Sequence, residues 1–200
     1  MRSSVPTAPR PRHRSEREPL GVGVRVIAGR FGGRTLVAPR GRATRPTGDR
    51  VREALFSILG SVDGARVLDL FAGSGALAIE ALSRGASEAT LVDSSAAAIA
   101  AIRRNLASID ATADVRRQRA TAFLEQARND ARQYDLVFLD PPYQAADDLG
   151  RALSAALPPV LAPGARVVTE SDRRAVLQLE LPLLDERRYG DTLIRIHDSR

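Results

Sequence analysis

The sequence predicts an α/β fold in which a seven-stranded, mostly parallel sheet carries helices on both faces and ends in an antiparallel hairpin. Three observations lead there. From residue 66 onward, short apolar runs alternate with helix-period segments, the pattern of repeated βα units. A glycine-rich turn joins the first of these runs to a helix. The last two extended segments flank Gly190-Asp191 with no helix between them, as antiparallel neighbours do.

Taken in order, residues 1–20 hold four prolines among Arg and Ser with little that is apolar. They cannot offset chain entropy by burial and are expected to form a disordered basic tail. They also lack the apolar stretch of a secretory signal. Over residues 21–46, Val24, Val26 and Ala28 alternate with Arg25 and Ile27, Gly29 to Gly33 turn, and Thr35 to Ala38 run extended, which predicts a small β-hairpin. Thr47 to Gly60 places Val51, Leu55, Ile58 and Leu59 at helical spacing behind Asp49 and stops on a glycine. Strands are then predicted at Arg66 to Phe71, Ala89 to Asp93, Asp114 to Arg119, Tyr134 to Asp140 and Ala165 to Glu170. Helices are predicted between them at Ala76 to Arg84, Ala96 to Ser108, Thr121 to Asn129 and Asp147 to Leu157. Leu181 to Tyr189 and Thr192 to His197 form the closing hairpin, and there is no internal repeat.

Composition removes several chemistries. All 30 basic residues among the 200 are arginine, so no lysine is available for a Schiff base or a phosphate-gripping loop. Without cysteine there is no thiolate nucleophile, disulfide or Cys-ligated zinc. His13 and His197 lie towards the two ends of the chain, so no histidine base sits beside a nucleophile, and no metal site is expected. No apolar run reaches the roughly 18 residues of a membrane helix. Carboxylates, backbone groups and positioning remain. Arginine-only usage is ordinarily a matter of compositional bias. Its distribution is more informative: residues 1–50 hold 12 Arg against 3 acids (+9), and residues 51–200 hold 18 Arg against 21 acids (−3). A basic N-terminal quarter suits a polyanion, since Arg on phosphate releases counterions, and equally suits a solubilising tail.

The chemistry-bearing segments lie at strand ends. Asp69-Leu70-Phe71-Ala72-Gly73-Ser74-Gly75 runs from the first strand into a helix, and its glycines let backbone approach a ligand at the strand's carboxyl end. Gly73 to Ala78 also fits the looser dinucleotide fingerprint. Asp69, inside the strand, suits a cationic amino group. Asp93, with Ser94 after it, closes the next strand where a carboxylate can accept both hydroxyls of a ribose, or can simply cap the following helix. Asp140-Pro141-Pro142-Tyr143 closes the fourth strand, beside the same crevice if that strand neighbours the first; alone it also reads as a rigid turn. Glu170 ends the fifth strand with its role open.

Together, Asp69 to Leu77 and Asp140-Pro-Pro-Tyr143 resemble the Rossmann-like class I methyltransferases that use S-adenosylmethionine to modify exocyclic amines of nucleobases. Arg45-Pro46-Thr47-Gly48-Asp49-Arg50, the Gly29 to Arg34 turn before it, and Tyr189 to Thr192 resemble the RsmD family, from about Val24 to His197. The resemblance implies methylation of N2 of one guanine in 16S ribosomal RNA, with a catalytic domain over residues 47–200. It implies cofactor contacts at Asp69, Phe71, Ala72, Gly73, Ser74, Gly75, Asp93 and Ser94. Arg119 stands where the family usually has Asp or Asn, which leaves adenine to backbone groups of Ala120 and Thr121, and Asp93 stands where Glu is common. Asp140 and the Pro141 carbonyl would accept the amine's hydrogens, Pro142 would stiffen the turn, and Tyr143 would stack on the base.

Arg30, Arg34, Arg42, Arg45 and Arg50 cluster ahead of the site as expected RNA contacts, although Arg50 and Arg52 also suit holding the helix against the glycine loop. The expected setting is a cytoplasmic monomer acting on the small ribosomal subunit or an assembly intermediate. Two other readings stay open. One is a DNA adenine-N6 methyltransferase, which would ordinarily need a recognition domain. The other is a non-enzymatic RNA-binding assembly factor with a vestigial nucleotide site.

Overall fold

The computed structural model describes residues 23–39, 48–142 and 146–199. The basic tail, Arg42, Arg45 and Tyr143 lie outside them.

Two short strands, β1 (Val24–Arg25) and β2 (Thr35–Leu36), pair antiparallel as Val24↔Leu36 and Arg25↔Thr35. Their turn is closed by the Val26 N–H on the Arg34 carbonyl (2.9 Å) and the Gly33 N–H on the Val26 carbonyl (2.8 Å). Helix α1 (Asp49–Leu59) follows and stops at Gly60 with φ of 67°. The alternating body comprises β3 (Arg66–Asp69), α2 (Ala76–Ser83), β4 (Glu88–Asp93), α3 (Ala96–Ser108), β5 (Asp114–Arg117), α4 (Ala120–Asn129), β6 (Tyr134–Leu139) and α5 (Ala146–Ala156). It ends with β7 (Leu161–Asp172), β8 (Leu183–Tyr189) and β9 (Thr192–Asp198).

The seven-stranded sheet runs β5-β4-β3-β6-β7-β9-β8, parallel up to β7 and antiparallel beyond it. The central parallel strands β3, β4 and β6 are buried on both faces, and consecutive residues serve opposite layers. Val67, Leu91, Leu136 and Phe138 pack with α1, α2 and α3, whereas Leu68, Val92, Val137 and Leu139 pack with α4 and α5. Val26 and Leu36 of the small hairpin belong to the first of these cores. Phe56 of α1 meets Phe138 at 5.9 Å between ring centroids, tilted by 53°.

Among the boundaries that differ from expectation, two have a clear physical reason. The fifth sheet strand begins at Leu161 rather than Ala165, because a register shift between Tyr134↔Leu161 and Leu136↔Arg166 absorbs Pro163 and Gly164 (φ 75°) without ending the strand. The first parallel strand ends at Asp69 rather than Phe71: Leu70 still donates to the Phe138 carbonyl (3.2 Å), and the chain then leaves the sheet as the loop into α2.

The strand order reverses at β3, with β4 on one side and β6 on the other. In open α/β sheets the crevice at such a switch point is where ligands bind. The segments that follow Asp69, Asp93 and Leu139 therefore surround one position.

Candidate active site

The glycine loop, residues 70–75, is pinned from below. The Ala72 N–H bonds the Val92 carbonyl (3.0 Å), the Gly73 N–H bonds Oδ2 of Asp93 (3.0 Å), and the Gly75 N–H bonds the Ala72 carbonyl (2.6 Å). Its two glycines answer different needs. A Cβ on Gly75 (φ 80°) would lie 2.8 Å from Cδ2 of Leu91 and 3.4 Å from side-chain carbons of Ile79 and Ile102, so this glycine lets α2 close onto the sheet. A Cβ on Gly73 (φ 54°) would meet only the Phe71 carbonyl at 3.9 Å, so this glycine faces open space in the crevice. A ligand could therefore approach the backbone there, and a side chain would take up that space.

Asp93 is buried and works on both sides of the crevice: Oδ2 holds Gly73, and Oδ1 accepts the Ser95 N–H (2.8 Å) at the start of α3. One carboxylate thus braces the glycine loop and the entry to α3. Ser94 beside it is exposed. Asp69 is only 2% exposed. Burial pushes its pKa up to about 7, and the Asp93 charge adds to this, while backbone N–H groups of Ala78 and Phe71 pull it down. A carboxyl held by one amide of the loop and one of α2 braces their junction from beneath. Phe71 is half-buried against the α4/α5 layer. At the carboxyl end of β5, Gln118 donates its backbone N–H to Asp93's carbonyl (3.2 Å). Beyond it, Arg119 is exposed at the start of α4, Ala120 is buried and Thr121 exposed.

Across the switch point, Asp140 follows β6 and is half-buried, Pro141 is buried and Pro142 exposed. Because Asp69 pairs with Phe138, Asp140 lies beside the glycine loop. The pairing Leu139↔Thr169 continues to bring Glu170, also buried, level with Asp140. Glu170's charge is felt by Arg52.

Arg52 and its partners form an arrangement that the sequence hinted at only in part. This guanidinium on α1 is 1% exposed. It lies 3.8 Å from Glu80, 3.1 Å from Asp49 and bonds the Arg25 carbonyl. Burial pulls its pKa down, against Glu80 and Asp49, which hold it charged. Glu80 on α2, fully buried, accepts the N–H groups of Ile27 (2.7 Å) and Ala28 (3.1 Å) and pairs with Arg84 (2.7 Å). Ser83 accepts the Phe31 N–H (2.9 Å) through its hydroxyl, and its carbonyl accepts the Arg30 N–H (2.9 Å). Asn105 on α3 bonds both backbone groups of Val37 and the carbonyl of Ser74. Glu80, Ser83 and Asn105 were absent from the sequence reading. The available signal was a polar residue on an otherwise buried helical face, as in Ala78-Ile79-Glu80-Ala81-Leu82.

Of the five arginines expected to meet RNA, Arg30, Arg34 and Arg50 are described and all are exposed. The Arg30 guanidinium lies 4.4 Å from the centroid of the Phe31 ring. Arg50 lines a cleft of about 420 Å³ between the hairpin and α1, together with Arg25, Gly33, Asp49 and Glu53. Among the described residues there is no cluster of acidic or histidine side chains able to hold a metal, and no helix long and apolar enough to cross a membrane.

Comparison with known proteins matches residues 24–198 to the family described as Conserved hypothetical protein 95. YlbH of Bacillus subtilis, provisionally named as an rRNA methyltransferase, is 38% identical over 185 residues, 88% of this chain and 100% of that protein. Ribosomal RNA small subunit methyltransferase D of Escherichia coli is 44% identical over 123 residues, 60% of this chain and 61% of its own length. Among solved structures, the Thermus protein TTHA0928 superposes with a TM-score of 0.76 at 30% identity, covering 87% of this chain and 98% of that one. The Thermus thermophilus methyltransferase RsmC, solved with AdoMet and guanosine, shares the fold at 19% identity and a TM-score of 0.69, over 90% of this chain and 50% of that one. With a family match spanning the whole described region and relatives of this closeness, the chain belongs to the RsmD family and has the fold of the class I methyltransferases.

Proposed function

We propose that this protein methylates the exocyclic N2 of one guanine in 16S ribosomal RNA, with S-adenosylmethionine as cofactor and the small ribosomal subunit or its precursor as substrate. The observation that carries this reading is the adjacency of two loops at the switch point: the open-sided glycine loop after β3 and Asp140-Pro141-Pro142 after β6. Relatives named as small-subunit rRNA methyltransferases support the substrate class.

Gly73 would admit the cofactor, and Asp93 would accept its ribose hydroxyls. When bound, S-adenosylmethionine supplies a methyl group on a sulfonium that leaves as a neutral thioether, so no general acid is required. What this chain must supply is position. An exocyclic amine is flat, with its lone pair delocalised into the ring. Asp140 and the Pro141 carbonyl accept its two hydrogens, which favours the tetrahedral geometry needed for in-line attack. Pro142 contributes no N–H to compete for those acceptors. Guanine presents adjacent N1–H and N2–H donors, which suits a carboxylate; adenine pairs a donor with an acceptor.

The test is incubation of the full chain with labelled S-adenosylmethionine and small subunits lacking the modification, followed by digestion and mass spectrometry. The expected product is N2-methylguanosine at one position. Asp140→Ala should lower transfer about a hundredfold to a thousandfold, the scale of losing a transition-state hydrogen-bonding group, with cofactor affinity near normal. Label only in adenine of added DNA would replace the substrate. Cofactor binding without transfer to any RNA would favour the assembly-factor reading.

A further inference from the structure

We propose that Asn105 is a positioning residue through which the seat of the N-terminal hairpin sets the shape of the cofactor loop. The inference rests on residues 70–75 being that loop.

Asn105 lies within α3 and is 1% exposed. Its Oδ1 accepts the Val37 N–H at 2.8 Å, and its Nδ2 donates to the Val37 carbonyl at 3.0 Å and to the Ser74 carbonyl at 2.8 Å. The network fixes the amide's orientation, because the N–H needs the oxygen and the two carbonyls need the two hydrogens. One planar group thus joins two segments: the chain leaving the hairpin just after β2 and the middle of the glycine loop. Since the Gly75 N–H is bonded to the Ala72 carbonyl, the peptide between Ser74 and Gly75 is held at both ends, one of them by Asn105.

The hairpin cannot slide without disturbing this. Glu80 and Ser83 hold its connecting turn, at Ile27, Ala28 and Phe31, by four side-chain hydrogen bonds. Gly29 approaches α2 so closely that a Cβ there would lie 1.8 Å from the Ser83 carbonyl oxygen. Residue type matters at 105. An apolar side chain would take away the partner of three half-buried backbone groups, and aspartate could accept from Val37 but could not donate to Ser74.

Hydrogen exchange on the full chain, with and without saturating S-adenosylhomocysteine, tests this. The ligand should slow exchange at Gly73 and Gly75 and, by about threefold or more, at the Val37 amide on the other side of Asn105. Asn105→Asp should abolish the effect at Val37. It should also raise KM for S-adenosylmethionine about fivefold, what one hydrogen bond of ordinary strength is worth, with kcat within about twofold. Slowing confined to the loop would overturn the proposal while leaving the cofactor site intact. Measured binding that slows neither segment would move the cofactor elsewhere and remove both readings. The wild-type exchange data decide the matter even if the variant does not fold.

Discussion

The two layers flanking the sheet are built on different terms. Beneath α4 and α5 the packing is almost wholly apolar, with Leu68, Val92, Phe123, Leu124, Val137, Leu139 and Leu153 as its centre. Beneath α1, α2, α3 and the small hairpin, a larger apolar core is threaded by Arg52, Glu80, Ser83 and Asn105, all buried. Apolar packing is non-directional and supplies stability. Buried polar groups add little net stability but accept only arrangements that satisfy them. The layer that holds the glycine loop and the hairpin is thus the one whose geometry is specified bond by bond.

The largest effects should come from breaking each layer once. Glu80→Ala leaves the Arg52 charge buried without its α2 partner and strands the amides of Ile27 and Ala28; a loss of about 3–5 kcal/mol is expected. Leu124→Ala, at a fully buried position in the other layer, should cost about 2–5 kcal/mol. Urea unfolding measures both. The comparison turns on a second reading: Glu80→Ala should also weaken cofactor binding in the protein that remains folded, and Leu124→Ala should not. Equal effects on cofactor affinity would erase the distinction between the layers.

Asp69 sharpens the contrast through pH. Its pKa in the folded protein is about 7, above the ordinary 3.8, so the folded state holds a proton that the unfolded chain has released. Stability contributed by this group is full below about pH 4 and is lost as pH rises towards 7. Urea midpoints between pH 4.5 and 8 should therefore fall more steeply in the wild type than in Asp69→Asn. Parallel curves would mean that the amides of Phe71 and Ala78 outweigh burial.

The smallest expected difference separates the two loop glycines. Gly75→Ala drives a methyl into Leu91 at a positive φ and should cost about 1–3 kcal/mol. Gly73→Ala bears only the backbone penalty, about 1–2 kcal/mol, yet should be the more damaging to cofactor affinity because its methyl enters the open crevice. Thermal denaturation and calorimetric titration of the same two variants would show the reversal.

The order of elements and the position of the crevice were legible in the sequence because both follow from local periodicity. Apolar runs such as Leu136-Val137-Phe138-Leu139 are buried on both faces and announce parallel strands, and the glycines of 73–75 mark a backbone constraint wherever they occur. That Asp140 lies beside the loop after β3 was conditional on strand order, which no local pattern contains; the pairing Asp69↔Phe138 decided it. The roles of Glu80, Ser83 and Asn105 were invisible for the same reason. Each is an ordinary helix residue until a partner 31 to 68 positions away is brought against it. By itself the sequence determined which segments are strands, helices and turns, because those choices are made within a few residues. Which carboxylate braces the loop, which pairs with an arginine and which lies beside the crevice depended on distances across the fold, since a buried charge takes its role from whatever else is buried with it.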